Sequence, residues 1–187
     1  MADETKVVTG KVRLSYVHLH EPHASFENQE PKYSTVILVP KDDEVTVNKI
    51  LRAQQAALKQ GEQGKFGGKA PKNWKNTFRD GDEEADLERN PEYEGHYFMT
   101  VSNFQKPGLV DKDVNPILDP SEVYSGCYAR VSMNAFPFNA NGTKGVSFGL
   151  RHVQKLADGE PLGSFSRAED DFEPIDVDEE DDLSSIL

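Results

Sequence analysis

The chain has 187 residues, 36% of them hydrophobic, with 33 acidic and 21 basic side chains and a formal net charge of -12. That length suits one domain of ordinary size plus appendages, and a single cysteine, Cys127, excludes an internal disulfide and a cysteine-cluster zinc site. No apolar run reaches the roughly 18 residues that span a bilayer, and Met1-Ala2-Asp3-Glu4 lacks the basic and apolar regions of a signal peptide, so a cytoplasmic protein with no membrane partner is expected.

In chain order, residues 7–20 set Val8, Val12, Leu14 and Tyr16 against Lys11, Arg13 and Ser15, which predicts a first strand bent at Gly10. Residues 21–32 read as a loop, and Tyr33 to Val39 as a short β-branched strand stopped by Pro40. Asp42 or Asp43 then caps a helix of about 18 residues. Its apolar stripe is Val47, Ile50, Leu51, Gln54 and Leu58, and Gly61 ends it. Residues 61–95 form a long irregular insertion in two halves. Lys59 to Arg79 holds six bases, one acid and three aromatics; Asp80 to Glu94 holds eight acids and one base. A loop this long is uncommon unless it works or is disordered. The basic half has the composition for holding a nucleic-acid strand, with the acidic half as its internal counterweight. The alternative is a solvated insertion anchored by Trp74. Residues 95–104 make a third strand, with Tyr97, Met99 and Val101 on one face, and residues 105–121 a turn-rich connection.

Glu122 to Leu156 reads as one long hairpin. Val123, Ser125, Cys127, Ala129, Val131, Met133 and Ala135 form a core face, and Tyr124, Tyr128, Arg130, Phe136 and Phe138 stand on the other. The turn is Asn139 to Gly145, and the return strand buries Val146, Phe148 and Leu150 before shifting phase to Val153 and Leu156. That shift predicts a β-bulge near Arg151-His152. Aromatic rings interleaved with guanidinium groups on an outward sheet face stack unpaired bases and hold their phosphates; the alternative is that the rings cover a second layer of core. About five antiparallel strands and one helix give a mainly β fold, a small partly open barrel of the OB-fold type. The helix follows strand two, whereas the usual OB-fold helix lies between strands three and four. The barrel domain is expected over 5–157 and a flexible acidic tail over 158–187.

The acidity belongs to the tail: residues 167–187 carry ten acids and one base, and residues 1–166 carry 23 acids and 20 bases. A tail so poor in apolar residues is expected to stay disordered. It either keeps the protein soluble, or imitates a polyanion over the body's basic groove while its tip docks on partners. His18, His20 and His23 invite a metal reading, but no carboxylate partner set accompanies them. Asp111, Asp113 and Asn115 open like a calcium loop, yet Pro116 and not Gly occupies position six. No Walker or nucleophile-elbow motif is present, Cys127 falls on the core face, and no cofactor, metal or catalytic set is expected.

The chain resembles phage-encoded single-stranded DNA-binding proteins of the OB-fold type with acidic C-termini. The resemblance rests on Asp113-Val114-Asn115-Pro116-Ile117, Val123 to Arg130, Asn141 to Val146, Gly149-Leu150, Val153 to Leu156, Gly159 to Gly163 and Ala168 to Phe172. It implies a non-enzymatic role, coating single strands during phage DNA replication and recombination in the host cytoplasm. The binding residues, by contrast, follow from strand faces and charge. Phosphates would lie along Lys11, Arg13, Lys65, Lys69, Lys72, Lys75, Arg130 and Arg151, and bases would stack on Tyr16, Trp74, Tyr97, Tyr128 and Phe136. Asp178, Glu179, Glu180, Asp181, Asp182, Leu183, Ile186 and Leu187 would recruit a polymerase, helicase-primase or nuclease. A homodimer is compatible with this reading. The rival reading is an acidic adaptor that binds a polymerase or nuclease and never touches DNA.

Overall fold

The computed structural model describes residues 4–24, 26–162 and 172–175. Its longest wall follows from uninterrupted alternation. Strands β8 (Tyr128–Ala140) and β9 (Thr143–Ala157) pair antiparallel from Tyr128↔Ala157 to Ala140↔Thr143. The turn is only Asn141-Gly142, both at positive φ (52° and 91°), tighter than the expected Asn139 to Gly145 because this pair alone supplies two left-handed residues. Ala129, Val131, Met133 and Ala135 face Val146, Phe148, Leu150 and Val153 inside, all buried. Ser132 opposes His152 while Met133 opposes Leu150, so Arg151 is the extra residue of the expected bulge. β8 starts at Tyr128; Val123 to Cys127 stays irregular, although Val123 and Cys127 are buried as expected.

β1 (Lys6–Val8) and β2 (Val12–His23) are one bent strand. The bend at Gly10 admits the helix N-terminus, since a Cβ there would lie 2.8 Å from the Asp43 carboxylate. β2 runs through Pro22 to His23, beyond the expected loop start at 21. β3 (Lys32–Pro40) pairs with β2 and then, over eight rungs, with β6 (His96–Asn103). β6 meets β9 in parallel at Ser102↔Gly149, and β8 returns to β2 at Val12↔Ala129. The ring β2–β3–β6–β9–β8–β2 is of the OB-fold type, closed by a single parallel rung rather than as a regular barrel. β7 (Gly108–Val110) and β4 (Lys75–Asn76) extend β9, and β5 (Arg79–Asp80) pairs with β6.

Helix α1 (Glu44–Glu62) is capped by the Asp43 carboxylate, which accepts from the Thr46 N–H at 3.2 Å, and it packs on β1 and β8. It buries Ile50, Ala53, Gln54, Ala57 and Leu58, whereas Leu51 is exposed. The stripe is turned from the expected one because two alanines allow close approach to the sheet. The 61–95 insertion is structured rather than irregular. Phe66, Phe78 and Tyr93 are buried anchors, Gln54 Nε2 donates to Asn76 Oδ1 at 2.7 Å, and a short helix α2 (Gly81–Glu84) follows β5. Among the described residues, no helix is long and apolar enough to cross a membrane.

Candidate nucleic-acid interface

Directly paired residues share a sheet face. The outward set therefore runs from Phe136 and Asn134 on β8 through Ser147 and Gly149 on β9 to Ser102 on β6 and Ser34 on β3. The floor is small side chains. A Cβ at Gly149 would sit 3.8 Å from the Phe136 ring and 3.9 Å from the Ser102 carbonyl, so the glycine leaves the centre of the floor low beside the Phe136 ring. Phe136 stands at its border, 43% exposed. The bulge turns Arg151 to the same side, where its guanidinium donates to Asn134 Oδ1 at 3.2 Å. A low floor, a bare ring and a cation suit a flexible polyanion with stackable bases.

The other end of this outer face is covered. Arg13 Nε donates to the Gly126 carbonyl at 3.1 Å, and its Nη2 donates to the Glu160 carbonyl at 2.7 Å. The Tyr128 ring lies 5.3 Å from Lys11 Nζ and 5.5 Å from Arg13 Cζ. Residues 158–162 cross this corner as a strap: Gly159 lies so close to Tyr128 that a Cβ would meet its ring at 2.8 Å. Leu162 N–H donates to the Ser125 carbonyl at 2.9 Å, and the Tyr124 hydroxyl donates to the Gly159 carbonyl at 2.9 Å. The body's contacts thus continue past residue 157. Gly126, at φ 115°, is required here, since a Cβ would come within 2.2 Å of the Glu160 carbonyl. Arg13 and Tyr128 are therefore engaged with the protein itself. Arg130 is exposed, with Nε donating to the Thr9 carbonyl at 3.0 Å. Tyr16, at φ 46° and about half exposed, donates its hydroxyl to Asn90 Oδ1 at 3.1 Å. Tyr97 packs against Phe78, ring centroids 4.9 Å apart, and under Lys41 Nζ at 5.3 Å; it belongs to the core margin rather than to an open stacking surface.

The two halves of the insertion part company. Lys65, Lys69, Lys72 and Lys75 are all exposed, and Lys65 and Lys75 lie at the hairpin tip, where Asn139 Nδ2 donates to the Lys65 carbonyl and Lys75 pairs with Gly145. Trp74 is half-buried against the core. The acidic half instead caps β3 and β6. Tyr93 lies on Phe98, centroids 5.1 Å apart, above fully buried Leu38, which pairs with Phe98. Its carboxylates find Lys41 rather than the basic half as counterweight: Nζ lies 2.7 Å from both Asp80 Oδ1 and Asp82 Oδ2. The hydrogen bond from Lys41 holds both carboxyls below their ordinary value, helped at Asp82 by the Gly95 N–H, and the lysine is raised in turn by Asp80 and Asp82. Only Arg79, with Glu84 at 3.2 Å, joins the two halves by an ion pair among the described residues.

The expected site missed Phe104, 54% exposed beneath Lys32 Nζ at 4.7 Å, and the serine floor. Both arise from pairing between distant strands, and neither leaves a local signal. The histidines make their own contacts: His18 and His23 stack at 4.0 Å, and His20 reaches the Val123 carbonyl at 3.1 Å. Burial first, then the neighbouring His23, lowers the pKa of His18. The Asp111 carboxylate accepts from the Asp113 and Asn115 N–H groups, and burial pushes the Cys127 thiol up. The expected partner-binding residues Asp178 to Asp182, Leu183, Ile186 and Leu187 lie outside the described residues.

Three comparisons place the chain as a whole beside known proteins. Residues 5–184 match the family described as Enterobacter phage Enc34, ssDNA-binding protein. Protein p50 of the Acyrthosiphon pisum secondary endosymbiont phage 1 is 28% identical over 189 residues, covering 95% of this chain and 98% of that one. The solved single-stranded DNA-binding protein from bacteriophage Enc34 in complex with ssDNA superposes with a TM-score of 0.73 at 26% identity, over 86% of this chain and 91% of that chain. The single-stranded DNA-binding protein gp2.5 of bacteriophage T7 shares the fold, with a TM-score of 0.58 at 16% identity over 89% and 91% of the two chains.

Proposed function

The chain belongs to the family of the Enterobacter phage Enc34 single-stranded DNA-binding protein, and from that membership we propose that it binds single-stranded DNA stoichiometrically, without catalysis and with little sequence preference, along the open outer face of β8, β9, β6 and β3. The observation that carries this reading is the floor of Ser147, Gly149, Ser102 and Ser34 bordered by exposed Phe136 and Arg151. Bases stack on Phe136, each stack contributing about 1–3 kcal/mol. Phosphates follow Arg151 and Arg130 toward Lys65, Lys69, Lys72 and Lys75 of the insertion. Sequence preference is weak because every base has a π-face.

The protein acts in phage DNA replication and recombination, and its acidic tail plays two parts. It competes with DNA for the basic surface as a tethered polyanion, at an effective concentration that reaches millimolar for a short flexible link, and it recruits replication proteins through its acids, Leu183, Ile186 and Leu187. Titration of Trp74 fluorescence with oligo-dT, against a duplex of equal length, tests the binding. Binding of the single strand that weakens steeply with salt supports it, and equal or absent binding to both overturns it. Deleting residues 167–187 tests the tail: affinity rises at low salt and polymerase capture disappears. Unchanged affinity at low salt refutes the competition.

A further inference from the structure

A second basic surface lies off the sheet, where β1 meets α1. Lys6, Lys49, Arg52 and Lys59, with Glu4 and Ala56, line a groove of about 520 Å³. Residues 49, 52, 56 and 59 recur at helical spacing on one face of α1, and all three cations of that face are exposed. Among the described residues, none of the four groove cations forms an ion pair. The helix turns Ala53 and Ala57 inward and this basic stripe outward. Lys49 and Arg52, three residues apart on the helix, repel each other at a cost of a few tenths of a kcal/mol, and Lys59 follows two turns on, in the last turn of α1.

The groove is continuous with the open face. Lys6 is the direct cross-strand partner of Asn134, and Asn134 accepts from Arg151 at 3.2 Å. Lys49 Nζ in turn donates to the carbonyl of Val8, on the same strand as Lys6. Sheet pairing thus links Arg151, through Asn134, to Lys6 at the groove, whose described lining holds those four cations and one acid, Glu4. Among the described residues no aromatic side chain lines the groove, so it offers charge without a platform for bases.

Resting on the single-strand reading above, we propose that the α1 groove is a phosphate-only extension of the DNA interface. It holds the backbone of the strand after its bases have left the sheet face, so that the occluded site is longer than the barrel. Lys49 and Lys59 are ten residues apart, about 15 Å along a helix axis, room for more than one phosphate. A strand that stacks at Phe136 and leaves across Lys6 has its backbone on the cations and its bases in solvent.

The test is Lys49→Gln/Arg52→Gln/Lys59→Gln in the full chain, titrated with two oligo-dT lengths at several salt concentrations. One is of about 8 nucleotides, within the span that one OB-fold covers, and one of about 25. The variant binds the short strand like wild type. On the long strand its slope of log affinity against log salt flattens by about 2, at about 0.7 for each phosphate that the groove no longer holds. Thermal unfolding that matches wild type confirms that the exposed substitutions leave the fold intact. Equal weakening on both lengths, or no change on either, overturns the extension while leaving single-strand binding standing. A wild type that binds neither strand sinks both readings together. A synthetic peptide of residues 176–187 that binds wild type and not the variant, with DNA affinity unchanged at both lengths, hands the groove to the acidic tail instead.

Discussion

Tyr128 and Phe136 leave the same face of β8, and by alternation alone they are equivalent candidates for stacking a base. The fold gives them opposite fates. Phe136 borders a floor of serine and glycine and is 43% exposed. Tyr128 sits between Lys11 and Arg13 under the strap of residues 158–162, which also takes the guanidinium of Arg13. The outer face of the ring thus has an open end and a covered end. The covered end is closed twice, by the strap over β2 and β8 and by the acidic half of the insertion over β3 and β6. An aromatic–basic pattern on a strand identifies which face is exceptional, and what returns to lie on that face decides whether it is available.

The largest effect separates the two rings directly. Phe136→Ala removes a stacking platform from the open end and weakens single-strand binding by about 1–3 kcal/mol, roughly fivefold to a hundredfold, with unfolding near wild type. Tyr128→Ala does the reverse: it lowers stability by about 1–2 kcal/mol by removing packing under the strap and changes affinity less than about threefold. Parallel titrations and thermal melts check both. If Tyr128→Ala costs as much affinity as Phe136→Ala, the strap moves aside on binding and the covered end is part of the interface.

The strap itself gives the next effect. Gly126→Ala puts a side chain on a residue at φ 115° and drives it into the Glu160 carbonyl. Strain of this kind costs about 1–3 kcal/mol, relieved only if residues 158–162 lift away. The melting temperature falls. Should the strap be a cover over binding groups, affinity for single strands rises at the same time, because Arg13 and Tyr128 are released. Lower stability with unchanged affinity leaves the open end as the whole site.

How much of this was readable in the chain depends on the range of the signal. The wall of β8 and β9, the bulge at Arg151 and the Asp43 cap of α1 follow from period-2 alternation, one phase shift and one capping residue, all local. Leu51 went to solvent because Ala53 and Ala57, neutral in any hydrophobic count, fit closer to the sheet than leucine. The insertion escaped because its anchors, Phe66, Phe78 and Tyr93, recur at no regular spacing, and its partner Lys41 lies about forty residues away. The serine floor is the extreme case. Ser34, Ser102, Ser147 and Gly149 lie on three strands, and only the ring's closure at Ser102↔Gly149 makes them one surface.

A smaller effect belongs to the basic half of the insertion, at the open end's hairpin tip. Changing Lys69, Lys72 and Lys75 to Gln flattens the salt dependence of single-strand binding by roughly 0.7 for each phosphate released from the insertion. A slope that does not move assigns these lysines to solvent and shortens the open end to the sheet.

The smallest effect is a matter of pH, and it concerns the clamp of Lys41 on Asp80 and Asp82, which holds the acidic half over β3 and β6. Both carboxyls are held below the ordinary 3.8 by the lysine's hydrogen bond, so the folded protein binds their protons less readily than the unfolded chain does. The clamp's contribution is therefore complete well above pH 3.8 and is lost as pH falls through that value toward the depressed folded pKa values. Lys41→Gln removes the clamp at every pH. Its melting temperature is lower than that of wild type at pH 7, and the gap closes as acid protonates the carboxylates that wild type still uses. The clamp is solvent-accessible, so salt narrows the gap as well. Hydrogen exchange locates the effect: the Gly95 N–H, which donates to Asp82, exchanges faster in Lys41→Gln, whereas the amides of β9 at the open end do not. A gap that persists undiminished far below pH 3.8 would mean that Lys41 acts through its contact with the Tyr97 ring, and that the covered end is held by packing rather than by charge.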